Sequence, residues 1–179
     1  HDPATGRLSK AVTGTFFVDP GMPARYGSLP VISVVSDYVH LFDDATGIYV
    51  PGTTHGGVLA RQNFFQGWAR PASVEFFEAG GIPAFSGTFE ISIQGATSGA
   101  SMQKGLHVIG RADQGTDAAR HPLFAPTDFR ANRLAEFKRF ILRAWGSARN
   151  WPVFFADAYH QSLAATTDLE LQAYRPAVV

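Results

Sequence analysis

The loop Gly95-Ala96-Thr97-Ser98-Gly99-Ala100-Ser101, with Lys104 three residues beyond it, is the segment best suited to chemistry. Small residues let backbone N–H groups turn toward an anion, and a nearby ammonium pairs with phosphate oxygens. Gly95, Ser98, Ser101 and Lys104 are therefore the candidate residues for contact with a phosphate. The segment matches neither the GxxxxGK[ST] loop nor the GxGxxG fingerprint. An ordinary flexible hairpin carrying a solvated Lys104 stands as the competing reading.

Other chemistry-bearing residues offer less. Asp43 and Asp44 sit in a turn, where side-chain to backbone bonds are the expected role. Asp157 falls near the start of a helix. It is expected to complement the positive end of the helix dipole or to pair with a basic residue of the sheet such as Arg143. His1, His40, His55, His107, His121 and His160 are scattered without HxxxH or HExxH spacing, so no metal site is expected. The GxSxG nucleophile pattern is absent. Trp68, Trp145 and Trp151 suit either a sugar-binding face or buried packing. Arg70, Arg111, Arg139 and Arg143 lie on or beside predicted strands, where some are expected to meet Glu75 or Glu90 across the sheet.

The chain that must position these groups has 179 residues, 45% hydrophobic and 17% charged. That is enough for one domain with a sizeable core. Fifteen Phe predict a Phe-rich core. Fifteen basic residues balance fifteen acidic ones, so no long-range attraction toward nucleic acid or an anionic membrane is expected. There are no cysteines, which removes disulfides and thiolate chemistry. No apolar run reaches the roughly 20 residues of a membrane span, and no signal peptide is visible at His1. The N-terminus is expected to be trimmed. Tyr174-Arg175-Pro176-Ala177-Val178-Val179 reads as a strand just beginning, so more sequence is expected beyond it.

Residues 1–28 carry turn formers and read as an arm or linker with a short strand at Thr15–Val18. Strands are predicted over 31–36, 71–77, 88–94, 103–111, 136–143 and 169–179. The clearest signals are the β-branched run Val31–Ser36 and the alternation of Phe89, Ile91 and Ile93 with polar residues. Asp37 is expected to cap a short turn holding Val39, Leu41 and Phe42. Residues 53–69 read as a long loop, Ala79-Gly80-Gly81 as a turn and 112–133 as polar and irregular. Leu134–Arg143 fits helix or strand by periodicity. Pro152–Thr167 is predicted as the one main helix, with Phe154, Phe155, Ala158, Tyr159, Ser162 and Leu163 on its buried face. The fold class is α+β, a mostly antiparallel twisted sheet with one main helix.

Several segments, in order, resemble the CotH kinase family. They are Leu29–Ser33, Leu41-Phe42-Asp43 with Thr46–Gly52, Arg70–Phe77, Ile93–Ser98 with Gln103–Leu106, Phe137–Arg143, Asp157-Ala158 with Gln161–Leu163, and Gln172–Pro176. The resemblance covers roughly residues 15–179 and rests on motif order, with residues 29–179 as the amino-terminal part of the family's domain. It implies an atypical protein-kinase fold and a transferase that uses ATP and Mg or Mn to phosphorylate coat or surface proteins. Spore-coat members are bacterial, and others sit in secreted proteins beside sugar-binding or docking modules. The resemblance therefore implies a secreted, cell-surface or spore-associated setting, with a protein substrate or companion extracellular domains as partners. It makes Lys104 the lysine that contacts nucleotide phosphates and places the 95–101 loop near them. It also settles Phe137–Arg143 as a strand.

The pattern departs from the family at four places. Gly99 stands where an Arg is expected, Gly105 replaces a Ser, Ala144-Trp145-Gly146-Ser147-Ala148 stands where Asn-Ser-Gly-Asn-Asp is usual, and Ala156 precedes Asp157 where an Arg is usual. The family's catalytic and metal-binding acidic residues are expected beyond Val179, so this chain alone is expected to be inactive. The alternative function is a non-catalytic secreted or cell-surface module for attachment or glycan contact.

Overall fold

A computed structural model describes residues 13–18, 20–53, 56–124, 134–144, 156–167, 169 and 172–179. Its frame is a five-stranded antiparallel sheet in the order β1-β2-β3-β4-β5, so every strand pairs with its neighbours in sequence. The strands are β1 (Val31–Val35), β2 (Ala69–Glu78), β3 (Ile82–Gln94), β4 (Gly105–Ile109) and β5 (Arg139–Leu142). Among the described residues three short α-helices accompany them: α1 (Met22–Tyr26), α2 (Tyr38–Leu41) and α3 (Ala156–Ala164). The fold is α+β.

Period-two alternation explains which face is buried. Ile32 pairs with Phe76, Val34 with Val74 and Ala72 with Phe89. Ile91 pairs with Val108, which in turn pairs with Phe140. These cross-strand pairs put one apolar face into a single core with Leu106 and Leu142. Val74, Phe89, Ile91 and Val108 have no exposed surface. Each such side chain contributes roughly 1.5–3 kcal/mol by leaving water. The register slips between Phe76 and Phe77, a bulge that bends the β2–β3 hairpin just before the turn at Ala79–Gly81.

Several expectations are corrected. Residues 13–18 form no strand; Thr15 and Phe17 instead cross the sheet, with Thr15 Oγ1 donating to Ser33 Oγ at 2.7 Å. Residues 22–26 form a helix where only turns were expected. The segment 169–179 is not a strand among its described residues: it makes one parallel bridge, Val178 with Val31. Ile32 N–H donates to the Val178 carbonyl and Val178 N–H to the Pro30 carbonyl. Pro176 has no N–H to give a ladder, which limits pairing next to the Val178 bridge. Asp37 precedes α2 but makes no side-chain capping bond. Residues 59–61 and 63–65 are 3-10 turns inside the expected loop, and β2 begins two residues before its expected start.

The stretch after β4 is less polar in role than in composition. Ala118, Ala119 and Leu123 are buried in the core, and Ala119 bridges Phe137. The Leu134–Arg143 segment resolves as strand over Arg139–Leu142, with Phe140 and Leu142 inward. The main helix is described only from Ala156, and Phe154 and Phe155 lie outside the described residues. On α3 the expected face is only partly inward: Ala158 is half-buried, but Tyr159 and Leu163 are more than half exposed, and Gln161 and Ala164 are half-buried in their place. Their polar or small side chains give the helix little apolar surface to bury. Among the described residues no helix is long and apolar enough to cross a membrane.

Candidate functional site

Lys104 lies just before β4, and its side chain is buried at 8% exposure, against the expectation of a solvated lysine. Its Nζ donates to the Gly99 carbonyl at 2.7 Å and to the Ser101 carbonyl at 2.8 Å. The nitrogen also lies 4.2 Å from the centre of the Phe64 ring and 5.4 Å from that of Tyr49. Two N–H groups thus go to carbonyls, and the aromatic faces supply favourable electrostatics to the remaining charge. The Lys104 backbone N–H donates to the Tyr49 hydroxyl at 2.9 Å. Among the described residues the ammonium has no carboxylate partner. Burial pushes its pKa below the ordinary lysine value, because a charge removed from water is disfavoured.

The loop between β3 and β4 takes this shape for local reasons. Gly95 has φ of 102°, and a Cβ there would meet the Ser98 hydroxyl at 2.1 Å. Only glycine fits both the conformation and the contact. Residues Thr97–Ala100 then form a 3-10 turn, with Gly99 N–H donating to the Ala96 carbonyl and Ser101 N–H to the Ser98 carbonyl. That turn aims the Gly99 and Ser101 carbonyls inward. Gly99 is buried against Phe65, where an added Cβ would sit 3.3 Å from the ring. Gly95, Ser98, Ser101 and Lys104 are therefore brought into one loop. The groups aimed at the lysine are carbonyls, not the N–H cradle an anion wants.

The wall opposite the loop is built by residues 41–52 and 63–65. Asp43 Oδ1 accepts bonds from the Ala45 and Thr46 N–H groups and the Thr46 hydroxyl, each at 2.9 Å. These bonds hold its carboxyl below the usual range, and the expected turn-shaping role of Asp43 is what the structure has. Asn63, buried to 1% exposure, donates its amide to the Asp44 and Gly47 carbonyls at 3.1 and 3.0 Å. A side chain at Gly52 would strike Asn63 at 2.3 Å. Ile48 and Tyr49 are tied to α2 by backbone bonds to the His40 and Leu41 carbonyls. The Leu41–Gly52 motif is thus a rigid scaffold that presents Tyr49. Tyr38, Phe42 and Tyr49 form a row of ring contacts, at 5.8 and 5.9 Å, from the surface to the lysine.

A second polar cluster was not foreseen in the sequence. Glu78, at the end of β2, bonds His121 Nε2 at 2.6 Å and Arg175 through both guanidinium amines, one of them at 2.9 Å. Arg175 also donates to the Leu123 carbonyl at 3.2 Å and lies over the Phe76 ring. The Arg175 hydrogen bond is the main cause that holds the Glu78 carboxyl at about 2. These residues are 43 and 97 positions apart in sequence from Glu78, so no local spacing signals them.

The remaining candidates are dispersed. Arg111 pairs with Glu90 at 2.9 Å, as strand neighbours were expected to. Arg70 instead donates to the Thr46 carbonyl and covers the Trp68 ring, so Trp68 packs rather than standing open for a sugar. Trp145 and Trp151 lie outside the described residues. Arg143 follows β5 and Asp157 is the second residue of α3; the Asp157 side chain lies outside the described residues. Among the described residues no three His, Cys, Asp or Glu side chains gather as a metal site. Comparison of the chain with protein-family models, with curated proteins and with solved structures returns no match.

Proposed function

We propose that this chain is the nucleotide-facing sheet part of a CotH-like protein kinase, with Lys104 and the 95–101 loop on the phosphate side. One observation carries the reading: a buried ammonium sits at the end of a small-residue loop with no carboxylate partner among the described residues. A charge held in low dielectric without a counter-ion favours an arriving anion. Nucleotide phosphates supply that charge, and Lys contacts to phosphate are a standard part of phosphoryl-transfer sites. Binding in this reading exchanges the Gly99 or Ser101 carbonyl for a phosphate oxygen, so the loop must shift as ATP enters. ATP with Mg or Mn would then serve phosphorylation of a surface or coat protein.

The test is calorimetric titration of the chain with ATP and magnesium, with backbone NMR of residues 95–104. Saturable binding, a tenfold or greater loss in Lys104→Met and shifts centred on the loop are expected. If ATP leaves both the heat signal and those amides unchanged, the nucleotide reading is wrong.

A second reading rests on its own observation, that both carbonyl contacts to Lys104 are already made without a ligand. The lysine is then a structural lock, and the chain a non-catalytic secreted or surface module. Tyr38 and Phe42, 72% and 43% exposed, would provide ring faces for a glycan. Retention of the protein on cellulose or chitin, lost in Tyr38→Ala, together with no ATP binding, would decide for this reading.

A further inference from the structure

Three glutamates lie on β2 and β3 with very different partners. Glu78 holds two basic groups, and Glu90 pairs with Arg111. Glu75 has no ion pair among the described residues, and its Oε2 is shut off from solvent with no hydrogen-bond partner. It lies on the face of the sheet opposite the core, directly across from Ser33 and Ser86. The 13–18 segment crosses that face, with Phe17 edge-on to Phe77 at 4.8 Å. Between segment and sheet is a cleft of about 430 Å³ whose lining includes Glu75, Phe77, Pro83, Ser86, Thr15 and Phe16. A volume of that order is within the range of small-ligand sites, which pair apolar walls with a few polar groups.

We infer that this cleft binds a primary alkylammonium group, its nitrogen paired with the Glu75 carboxylate and its chain laid against Phe77 and Pro83. Oε2 is shut off from water, so an ammonium reaches it only as the cleft opens; once there it satisfies a carboxylate oxygen that otherwise lacks a donor. A charge-assisted N–H···O bond is the strongest way to satisfy it, and the Phe77 ring favours a cation beside it. The hydroxyls of Thr15 and Ser86 accept further N–H bonds from the same nitrogen. The inference is independent of Lys104 and of any nucleotide. A free alkylamine and the lysine side chain of another protein offer the same group.

The experiment is NMR titration of the chain with n-butylammonium chloride, with 1-butanol as the uncharged counterpart and sodium chloride to match ionic strength. Saturable shifts at Glu75, Phe77 and Ser86 are expected for butylammonium, at least tenfold stronger than for the alcohol. Glu75→Gln is expected to fall to the alcohol's level with an unchanged or higher Tm, since it removes an unpaired charge. Raising sodium chloride should weaken the amine and not the alcohol in the unaltered protein, a readout that needs no variant. Nα-acetyl-lysine amide binding more tightly than butylammonium assigns the site to a lysine side chain; the reverse assigns it to a free amine. Equal binding of amine and alcohol, or amine binding that Glu75→Gln leaves intact, overturns the inference.

Discussion

The Lys104 cage and the Glu78 cluster solve opposite halves of one problem. Both put an ionised side chain where water is scarce. Around Glu78 the carboxylate is met by the Arg175 guanidinium, so charge is answered by charge, with the His121 ring hydrogen-bonded beside it. Around Lys104 the ammonium is met by two carbonyl dipoles and two aromatic faces, and no opposite charge is described there. The first arrangement is complete in itself and ties the C-terminal segment to the end of β2. The second satisfies the donors but leaves a net positive charge, and that residue of charge is what makes it a candidate site. A structural pair has nothing left to offer a ligand, whereas a dipole-held cation does.

The largest test of this contrast is removal of the carboxylate. Among the described residues, Glu78→Ala leaves the Arg175 guanidinium, 11% exposed, with only the Leu123 carbonyl and the Phe76 face. Breaking a buried pair by deleting one partner costs about 3–5 kcal/mol, and partial exposure of Glu78 brings the expectation to about 3 kcal/mol. Urea unfolding measures it; a loss below 1 kcal/mol would mean that the cluster does not anchor the C-terminal segment. The same cluster sets an acid limit. The Glu78 carboxyl is lowered from 4.5 to about 2 in the folded chain. Its stabilisation is therefore fully present above pH 4.5 and is lost as pH falls toward 2, by an amount on the order of 3 kcal/mol. Stability followed from pH 6 to pH 2 should show this loss in the unaltered protein, and a smaller one in Glu78→Gln.

The cage comes next in size. Lys104→Met keeps most of the apolar stem but leaves the Gly99 and Ser101 carbonyls without their donor. Hydrogen bonds to charged groups are worth roughly 1.5–3 kcal/mol each, and removing a charge that lacks a counter-ion recovers part of that. The expected net loss is about 2 kcal/mol, with faster amide exchange over 97–104. A gain in stability would show that burying the charge costs more than the carbonyls return. The lysine would then be kept for what it binds rather than for what it holds.

These two regions also differ in how far the sequence announces them. The central parts of β2, β3 and β4 were legible because Val74, Phe76, Phe89, Ile91, Leu106 and Val108 alternate with polar residues, and period two reports burial on one face directly; the first six residues of β3, 82–87, lay outside the expected 88–94 strand, since Pro83 and Gly87 interrupt the alternation. Lys104 was legible as a candidate because small residues precede it. What those residues do was not: the composition of 95–101 is the same whether the loop aims N–H groups outward or carbonyls inward. That choice is made by Gly95, by the 3-10 turn and by Phe64, Phe65 and Tyr49, which arrive from far along the chain. Asn63 carried no sequence signal, since a buried asparagine that props a turn has the same neighbours as one in an open loop. The Glu78 cluster is assembled from three distant segments and was illegible for the same reason. On α3, helical spacing picked out Tyr159 and Leu163, but little of the sheet lies against them and the apolar pattern went unused.

The smallest prediction isolates burial as the cause of the contrast. Arg111 and Glu90 also pair a guanidinium with a carboxylate, but through one nitrogen rather than two, and the side chains are 54% and 22% exposed. If charge pairing alone stabilised the Glu78 cluster, Glu90→Ala, which strands the Arg111 guanidinium, would cost as much as Glu78→Ala. In solvent the attraction is screened and the side chains lose rotamer freedom in meeting, so exposed pairs give about 0.2–1 kcal/mol. Glu90→Ala, which leaves the exposed Arg111 guanidinium in water, should therefore lower unfolding stability by less than about 1 kcal/mol, and the difference from the unaltered protein should shrink in high salt. The Glu78→Ala penalty, set by a guanidinium stranded away from water, should change much less with salt. Equal salt sensitivity of the two variants would mean that the Glu78 cluster is wet, and the comparison between a closed ion pair and an open cation would lose its ground.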